Sequence, residues 1–159
     1  MKLKTLLIIS SISTFIYATN NNLFHQEYLK AKKQADSINI PWDKFNKALV
    51  KQFNSIKQKL PLKQGKNLTL ENVNYDQNKK EILFKYQLNS KLPNTNKMAE
   101  YKKSLSNYAA VKLCTNPMII KFFENNGSII YSYDIVDKNK KTNITLKIDA
   151  SVCKNKGIW

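Results

Sequence analysis

The amino-acid sequence predicts an α+β fold, in which an antiparallel sheet of about four strands, formed by two hairpins, is flanked by helices. Apolar residues recur with helical spacing in four segments and with strand spacing in four others, in the order ααββααββ. No long connection separates the two strands within either hairpin, which favours antiparallel pairing with the helices on one side of the sheet. Residues 19–159 contain no linker rich in Pro, Gly or Ser, so they are predicted to form one domain.

Residues 1–18 have the features of a secretory signal peptide. Two lysines precede an apolar run over residues 6–17, and Ala18 occupies a plausible cleavage position. The run is shorter than the ~20 residues that a membrane-spanning helix needs, so a retained anchor is the less favoured alternative. We therefore expect export to the periplasm. No cysteine stands at the cleavage site, so we do not expect a lipoprotein.

Two amphipathic helices are predicted after the signal peptide. The first covers residues 23–38 and ends before Pro41, which suits the first turn of a second helix that runs to Leu60 or Pro61. The stripe of the second helix is expected to lie in the core, although an exposed part of it could receive a partner. The two stripes consist of Phe24, Tyr28, Ala31, Ala35 and Ile38, and of Trp42, Phe45, Leu49, Phe53, Ile56 and Leu60.

Alternating apolar residues predict the first hairpin. Its first strand, residues 68–75, slips by one position and therefore suggests a bulge. A turn is expected at residues 76–78. The second strand alternates strictly through Ile82, Phe84, Tyr86 and Leu88, so one face of the hairpin is expected to be buried.

Two further helices and a second hairpin complete the predicted order. The third helix begins near Met98 with Asn96 as a possible cap, and Cys114 ends it. In the fourth, Thr115 or Asn116 caps the helix and Pro117 lies in its first turn. The remaining predicted features are the third-helix stripe Met98, Tyr101, Leu105, Tyr108 and Val111, positive φ at Asn126 and Gly127, strands over 129–135 and 144–152, and a turn at 137–142.

The composition indicates a strongly basic protein with few residues suited to catalysis. All 27 basic residues are lysine, against 11 acidic residues, and removal of residues 1–18 with two lysines would leave a net charge of +14. Such a charge attracts anionic membranes, cell-wall polymers or acidic proteins. Nucleic acid is a less favoured partner, because specific sites favour arginine.

No catalytic, metal-binding or cofactor-binding residues are predicted. The single histidine, His25, stands apart from any cluster with metal-ligand spacing, so we expect a structural role for it at the surface. The acidic residues are scattered, and no nucleophile or phosphate-binding motif is present. We therefore expect a protein that is not an enzyme.

Cys114 and Cys153 are the only cysteines. In an oxidising compartment two such residues pair more often than they stay free, although two buried thiols are the alternative. The loop-entropy model gives a stabilisation of ~4 kcal/mol for a loop of this size. The disulfide would tie the junction of the third and fourth helices to the end of the last strand.

The residues between the cysteines follow a recognisable order: Cys114, Pro117, the apolar run 118–123, Gly127, Tyr131 with Tyr133, and Cys153. This order resembles the disulfide-containing pilotins of bacterial type II secretion systems, as found in vibrios and some enterobacteria. The stretches AKKQADSI and LPLKQGKNLTL, at 31–38 and 60–70, add to the resemblance.

The resemblance implies a sheet flanked by helices and the binding of a short C-terminal helix of the secretin subunit, which pilotins escort to the outer membrane. Two features differ from that family: the chain lacks the lipoprotein cysteine, and it has the additional helical segment 42–60. A soluble periplasmic relative is therefore expected.

Two hypotheses about function follow. In the first, a non-catalytic, pilotin-like protein grips a short helical segment of a secretin or another envelope-complex subunit on an apolar surface. In the second, a basic envelope protein binds anionic lipid, cell-wall polymer or an acidic protein through its lysines. The sequence predicts neither the partner-binding residues nor the oligomeric state. Aromatic residues such as Trp42, Phe45, Phe53, Phe122 and Phe123 could belong to the core or to an interface.

Overall fold

The protein has an α+β fold with one mixed sheet of five strands and five α-helices in the part of the chain described. The computed structural model describes residues 21–92 and 95–159, so the predicted signal peptide lies outside the described residues. The elements, in chain order, are α1 Asn21–Ser37, α2 Trp42–Lys57, β1 Leu62–Lys63, β2 Leu68–Asp76, β3 Glu81–Asn89, a 3₁₀ turn Thr95–Lys97, α3 Met98–Cys114, α4 Pro117–Glu124, β4 Ser128–Asp137, β5 Lys140–Asp149 and α5 Ala150–Asn155.

The predicted α+β class is confirmed, but the sheet differs from the prediction in strand number and direction. The strand order is β1-β2-β3-β4-β5, and β3 pairs with β4 in parallel, whereas the other neighbours are antiparallel. The physical reason is the long connection between the two hairpins. It contains α3 and α4, which return the chain to the end of the sheet where β3 began, and parallel strands need such a crossover.

The two hairpins form, with local differences from the prediction. The predicted bulge lies in β2, between Leu70 and Asn72. The first turn is closed by Asp76, whose Oδ1 accepts hydrogen bonds from the backbone N–H groups of Asn78 and Lys79 at 3.0 and 3.1 Å. In the second hairpin Asp137 pairs with Lys140, so the turn is two residues long and shorter than predicted.

The last strand ends earlier than its alternating pattern suggests. The pattern continues to Val152, but β5 stops at Asp149, whose side chain accepts hydrogen bonds from the backbone N–H groups of Ser151 and Val152. These bonds cap a short helix, α5. Cys153 therefore lies on a helix and not at the end of a strand, and its disulfide with Cys114 joins α3 to α5.

Helix ends also separate the correct predictions from the wrong ones. Asn116 caps α4, since its Oδ1 accepts from the N–H groups of Met118 and Ile119 at 3.0 and 3.2 Å. Asn96 does not cap α3, because a 3₁₀ turn precedes that helix and its cap residue Lys97 makes no side-chain cap bond. Pro41 is the cap residue of α2 and stands just outside its first turn.

The end of α4 depends on two neighbouring residues that act differently. Asn126 has the predicted positive φ, 62°. Gly127 does not, and the prediction for it was wrong. Its lack of a side chain matters because a Cβ atom there would lie 2.6 Å from ring atoms of Phe122.

The core lies between one face of the sheet and the helices. The stripe of α2 is buried as predicted at Phe45, Leu49, Phe53 and Ile56. The predicted stripe of α3 is only half-buried, whereas the fully buried residues of that helix are Ala109, Ala110, Leu113 and Cys114. The reason is that α5, held by the disulfide and by a hydrogen bond from Lys156 to Asn107, packs against the C-terminal half of α3.

Helix α1 packs on α4 and is fastened to the C-terminal residues. Trp159 stacks on Tyr28 at 5.4 Å between ring centroids and donates a hydrogen bond to the Cys114 carbonyl at 3.0 Å. His25 Nδ1 donates to the carbonyl of Ile158 at 3.1 Å. The predicted surface histidine is thus half-buried and joins α1 to the last residues of the chain.

Candidate functional site

The described residues contain no group of three or more His, Cys, Asp and Glu side chains that could hold a metal ion. Within the same ranges, no helix has both the length and the hydropathy needed to cross a membrane. The aromatic residues between which the sequence could not decide are mostly core: Phe45, Phe53, Phe122 and Phe123 are buried, and Trp42 is half-buried.

The parallel pairing of β3 with β4 produces a patch of stacked aromatic rings at the centre of the sheet. Phe84 is paired with Tyr131, and Tyr86 with Tyr133, on the face that the helices cover. The ring centroids of Tyr86 and Tyr133 are 5.3 Å apart, and those of Phe84 and Tyr131 are 5.5 Å apart, with nearly parallel planes. Tyr131 and Tyr133 also stack along their own strand, at 6.2 Å.

Helix α3 brings two more tyrosines to this patch. Ionisation of Tyr133 would be opposed by the nearby Tyr86, Tyr101 and Tyr108, and ionisation of Tyr131 by Tyr86, Tyr133 and Tyr108. The five phenol groups are therefore close in space. We refer to Tyr86, Tyr101, Tyr108, Tyr131 and Tyr133 as the tyrosine cluster.

The hydroxyl groups of the cluster stay neutral over the physiological pH range. Burial raises the pKa of Tyr86 to about 12. Burial raises the pKa of Tyr131 and Tyr133 further, and the neighbouring tyrosines add to the effect. The cluster therefore offers phenol O–H groups, which both donate and accept hydrogen bonds, and does not offer a phenolate.

Three of these hydroxyls have no hydrogen-bond partner among the described residues, namely those of Tyr86, Tyr131 and Tyr133. Of the side-chain oxygen and nitrogen atoms that are fully buried in non-exposed described residues, only Gln52 Oε1 lacks a partner. The three hydroxyls are therefore not fully buried and reach solvent. Aromatic rings that are buried at one end and wet at the hydroxyl end are typical of binding surfaces.

The packing of the helices leaves a narrow opening above these tyrosines. Helix α2 packs on β2 and α3 packs on β5, so that β3 and β4 lie between them. Three strand spacings of ~4.8 Å separate β2 from β5 by about 14 Å. Helices in contact lie about 8–10 Å apart, so a third helix at the same level would require about 16–20 Å.

The opening therefore admits side chains but not a whole helix, and we call it the tyrosine crevice. It differs from the open apolar groove that the helix-binding hypothesis suggests. Tyr86 is only 7% exposed, and the large apolar side chains with substantial exposure, among those described, are Leu23 and Leu29 on α1.

A second surface feature is the outer face of α2. Lys44, Lys47 and Lys51 recur at spacings of three and four residues and are exposed. Lys47 and Lys51 line a shallow surface depression together with uncharged residues such as Val50 and Asn54. Ion pairs in the described part of the chain involve other lysines, so this face is a positive surface without carboxylate partners.

The sequence contained part of the signal for the crevice. It placed Tyr86, Tyr131 and Tyr133 on alternating strands and Tyr101 with Tyr108 on one helix. It did not bring the strands together, because the predicted sheet did not include the parallel pairing of β3 with β4. Tyrosines in place of aliphatic residues on two adjacent strands were the available indication.

No protein-family model and no curated protein matches this sequence. A candidate secreted protein from Pseudomonas aeruginosa aligns over 80% of this chain and 96% of its own length, with a TM-score of 0.50 and 12% identity. EpsS, the pilotin of the Vibrio vulnificus type 2 secretion system, aligns over 84% of this chain and 97% of its own, with a TM-score of 0.41 and 14% identity. The similarity to the Pseudomonas protein shows that the two chains share a fold, at a level of identity that shows nothing more.

Proposed function

We propose that this chain is an exported, non-catalytic binding protein that holds a short helical segment of a secretin or of another envelope-complex subunit. The observation that carries the proposal is the tyrosine crevice, where the hydroxyls of Tyr86, Tyr131 and Tyr133 reach solvent without partners. The Cys/Pro/Gly/Tyr/Cys order that resembles pilotins gives the type of partner.

The dimensions of the crevice define how a partner would bind. A helix lying across α2 and α3 would insert one row of apolar side chains between them, at the i, i+3, i+4 and i+7 positions that reach the same face. These side chains would contact the tyrosine rings, and polar groups beside them would pair with the hydroxyls. Tyrosine suits such a site because it combines a large apolar area with few rotatable bonds.

The positive charge of the chain favours a partner that is acidic outside its apolar face. Such a field increases the rate of encounter, whereas the specific contacts determine how long the complex lasts. Binding in the crevice should therefore weaken only moderately as salt rises from about 0.1 M to about 1 M, although the Debye length falls from about 10 Å to about 3 Å.

The proposal is tested with labelled synthetic peptides that span the C-terminal helical segments of secretin subunits, using fluorescence anisotropy with the purified chain. We expect saturable binding that Tyr131→Phe and Tyr133→Phe each weaken about 2- to 10-fold, the effect of one lost hydrogen bond. Tyr28→Phe is the matched control, because Tyr28 packs against Trp159, away from the crevice. Absence of binding to every secretin segment would refute the proposal.

A second candidate function is favoured by the lysine face of α2. In that case the chain binds an anionic lipid, polymer or protein through Lys44, Lys47 and Lys51. Binding of this kind should collapse as salt rises, and Tyr131→Phe or Tyr133→Phe should leave it unchanged. Replacing the three lysines by glutamine should abolish it, so the two functions predict opposite results for the same variants.

A further inference from the structure

One buried polar atom in the described chain has no hydrogen-bond partner, and it belongs to the helix that forms one wall of the crevice. Gln52 Oε1 is fully buried and unpaired. An unpaired buried acceptor loses its bonds to water without replacement, so it destabilises the folded protein. Such groups are rare in native proteins, and a methionine or leucine of similar size would avoid the cost.

The position of Gln52 on α2 follows from the contacts of the opposite flank. Asn46 accepts a hydrogen bond from the Tyr75 hydroxyl at 2.6 Å, and Lys57 donates one to Asn74 at 2.7 Å, both on β2. Lys57 reaches a residue whose side chain lies on the other face of the sheet, so this flank of α2 lies along the edge of the sheet.

Helical spacing places Gln52 on the flank opposite Asn46 and Lys57, with the buried Leu49 between them. That flank is turned toward the centre of the sheet. β3 lies there, and Tyr86 on that strand belongs to the floor of the crevice.

We infer that Gln52 is the polar anchor of the tyrosine crevice, where its Oε1 accepts a hydrogen bond from a donor on the bound helical segment. This inference rests on the proposed function and specifies the partner further. The inserted row of side chains must include one N–H or O–H donor, such as Ser, Thr, Asn, Gln or Trp, among apolar residues. A segment with only aliphatic residues in that row would leave the acceptor unpaired and would bind less tightly.

The test uses Gln52→Met, which keeps the length of the side chain and removes its polar atoms. For the secretin peptide that binds the wild-type chain, we expect an affinity about 2- to 10-fold lower, which corresponds to one hydrogen bond. At the same time the Tm of the free protein should rise, because the unpaired acceptor is gone. Gln34→Met, on the exposed surface of α1, is the control and should change neither quantity. Gln52→Leu serves as a second variant.

A lower affinity with a higher Tm supports the inference, since a residue with a purely structural role would not change the two in these directions. If Tyr133→Phe weakens binding while Gln52→Met and Gln52→Leu bind as tightly as wild type, the inference is overturned and the proposed function stands. If the wild-type chain binds no secretin segment, the proposed function itself fails. Substituting the donor residue of the peptide should lower affinity for the wild type and not for Gln52→Met.

Discussion

Substitution of Gly127 by alanine tests the close contact between the backbone and Phe122. An added Cβ would lie 2.6 Å from two atoms of the Phe122 ring and 2.7 Å from a third. Carbon atoms in good contact are about 3.5–4.0 Å apart, so the ring must move by about 1 Å. Phe122 is 1% exposed, and its ring lies 6.2–6.3 Å from those of Trp42, Tyr75 and Phe123, so it cannot move without displacing them.

Overpacking of this kind costs about 1–3 kcal/mol. The loss of backbone freedom in the unfolded chain returns about 0.4–1 kcal/mol, because φ at this position is compatible with alanine. We therefore expect Gly127→Ala to lower the free energy of unfolding by about 1–2 kcal/mol, which corresponds to a Tm about 2–8 °C lower.

Gly65→Ala is the matched control, because no atom lies within 4 Å of the Cβ that it would add. Urea denaturation followed by circular dichroism, with a thermal scan of the same samples, measures both variants. The control should be as stable as wild type or slightly more stable. Equal stability of Gly127→Ala and Gly65→Ala would refute the argument that Phe122 requires glycine at position 127.

Three further predictions concern the disulfide, the helix caps and the tyrosines. Replacing Cys114 and Cys153 by serine should lower the unfolding free energy by about 4 kcal/mol in urea denaturation, since the bond closes a separation of 39 residues. Asn116→Ala should cost about 1 kcal/mol in the same assay, whereas Asn96→Ala should cost nearly nothing, because only the first residue caps a helix. The pKa of Tyr86 is raised in the folded state to about 12, so its contribution to stability is complete below pH 10 and is lost as the pH rises toward 12; ultraviolet absorbance should show the phenol titrating late in the wild type, and a Tyr86→Phe variant should lack that late titration.

The parts of the fold that the sequence predicted correctly are those that depend on nearby residues. The spacing of Phe45, Leu49 and Phe53 requires only that one face of a helix be buried, and Asn116 forms its cap bonds within three residues. The bulge in β2 shows as a slip in the alternation of its own strand. In each case the cause and the effect lie within a single element.

The errors occur where two signals compete or where distant residues decide. At Asp149 the alternation of the strand continues, but a cap bond to Ser151 ends the strand and begins a helix. In α3 the apolar stripe indicates one face, but α5 and the disulfide bury the opposite side near Cys114. Periodicity cannot reveal these outcomes, because they depend on which elements pack together.

The tyrosine crevice depends on a register that these distant contacts establish. A shift of one residue between β3 and β4 would move Tyr131 and Tyr133 to the outer face of the sheet. The shift is opposed at the start of β4, where the backbone N–H of Ser128 donates to the Lys80 carbonyl at 2.9 Å directly after Gly127.

The residues that resemble the pilotin pattern therefore have a structural task distinct from binding. Pro117 and the Asn116 cap start α4, Asn126 with its φ of 62° and the bare backbone of Gly127 end it, and the disulfide holds α3 against α5. Together they fix where β4 enters the sheet and hence which side chains form the floor of the crevice. A related chain could keep this pattern and exchange the tyrosines, and it would then retain the fold while binding a different partner.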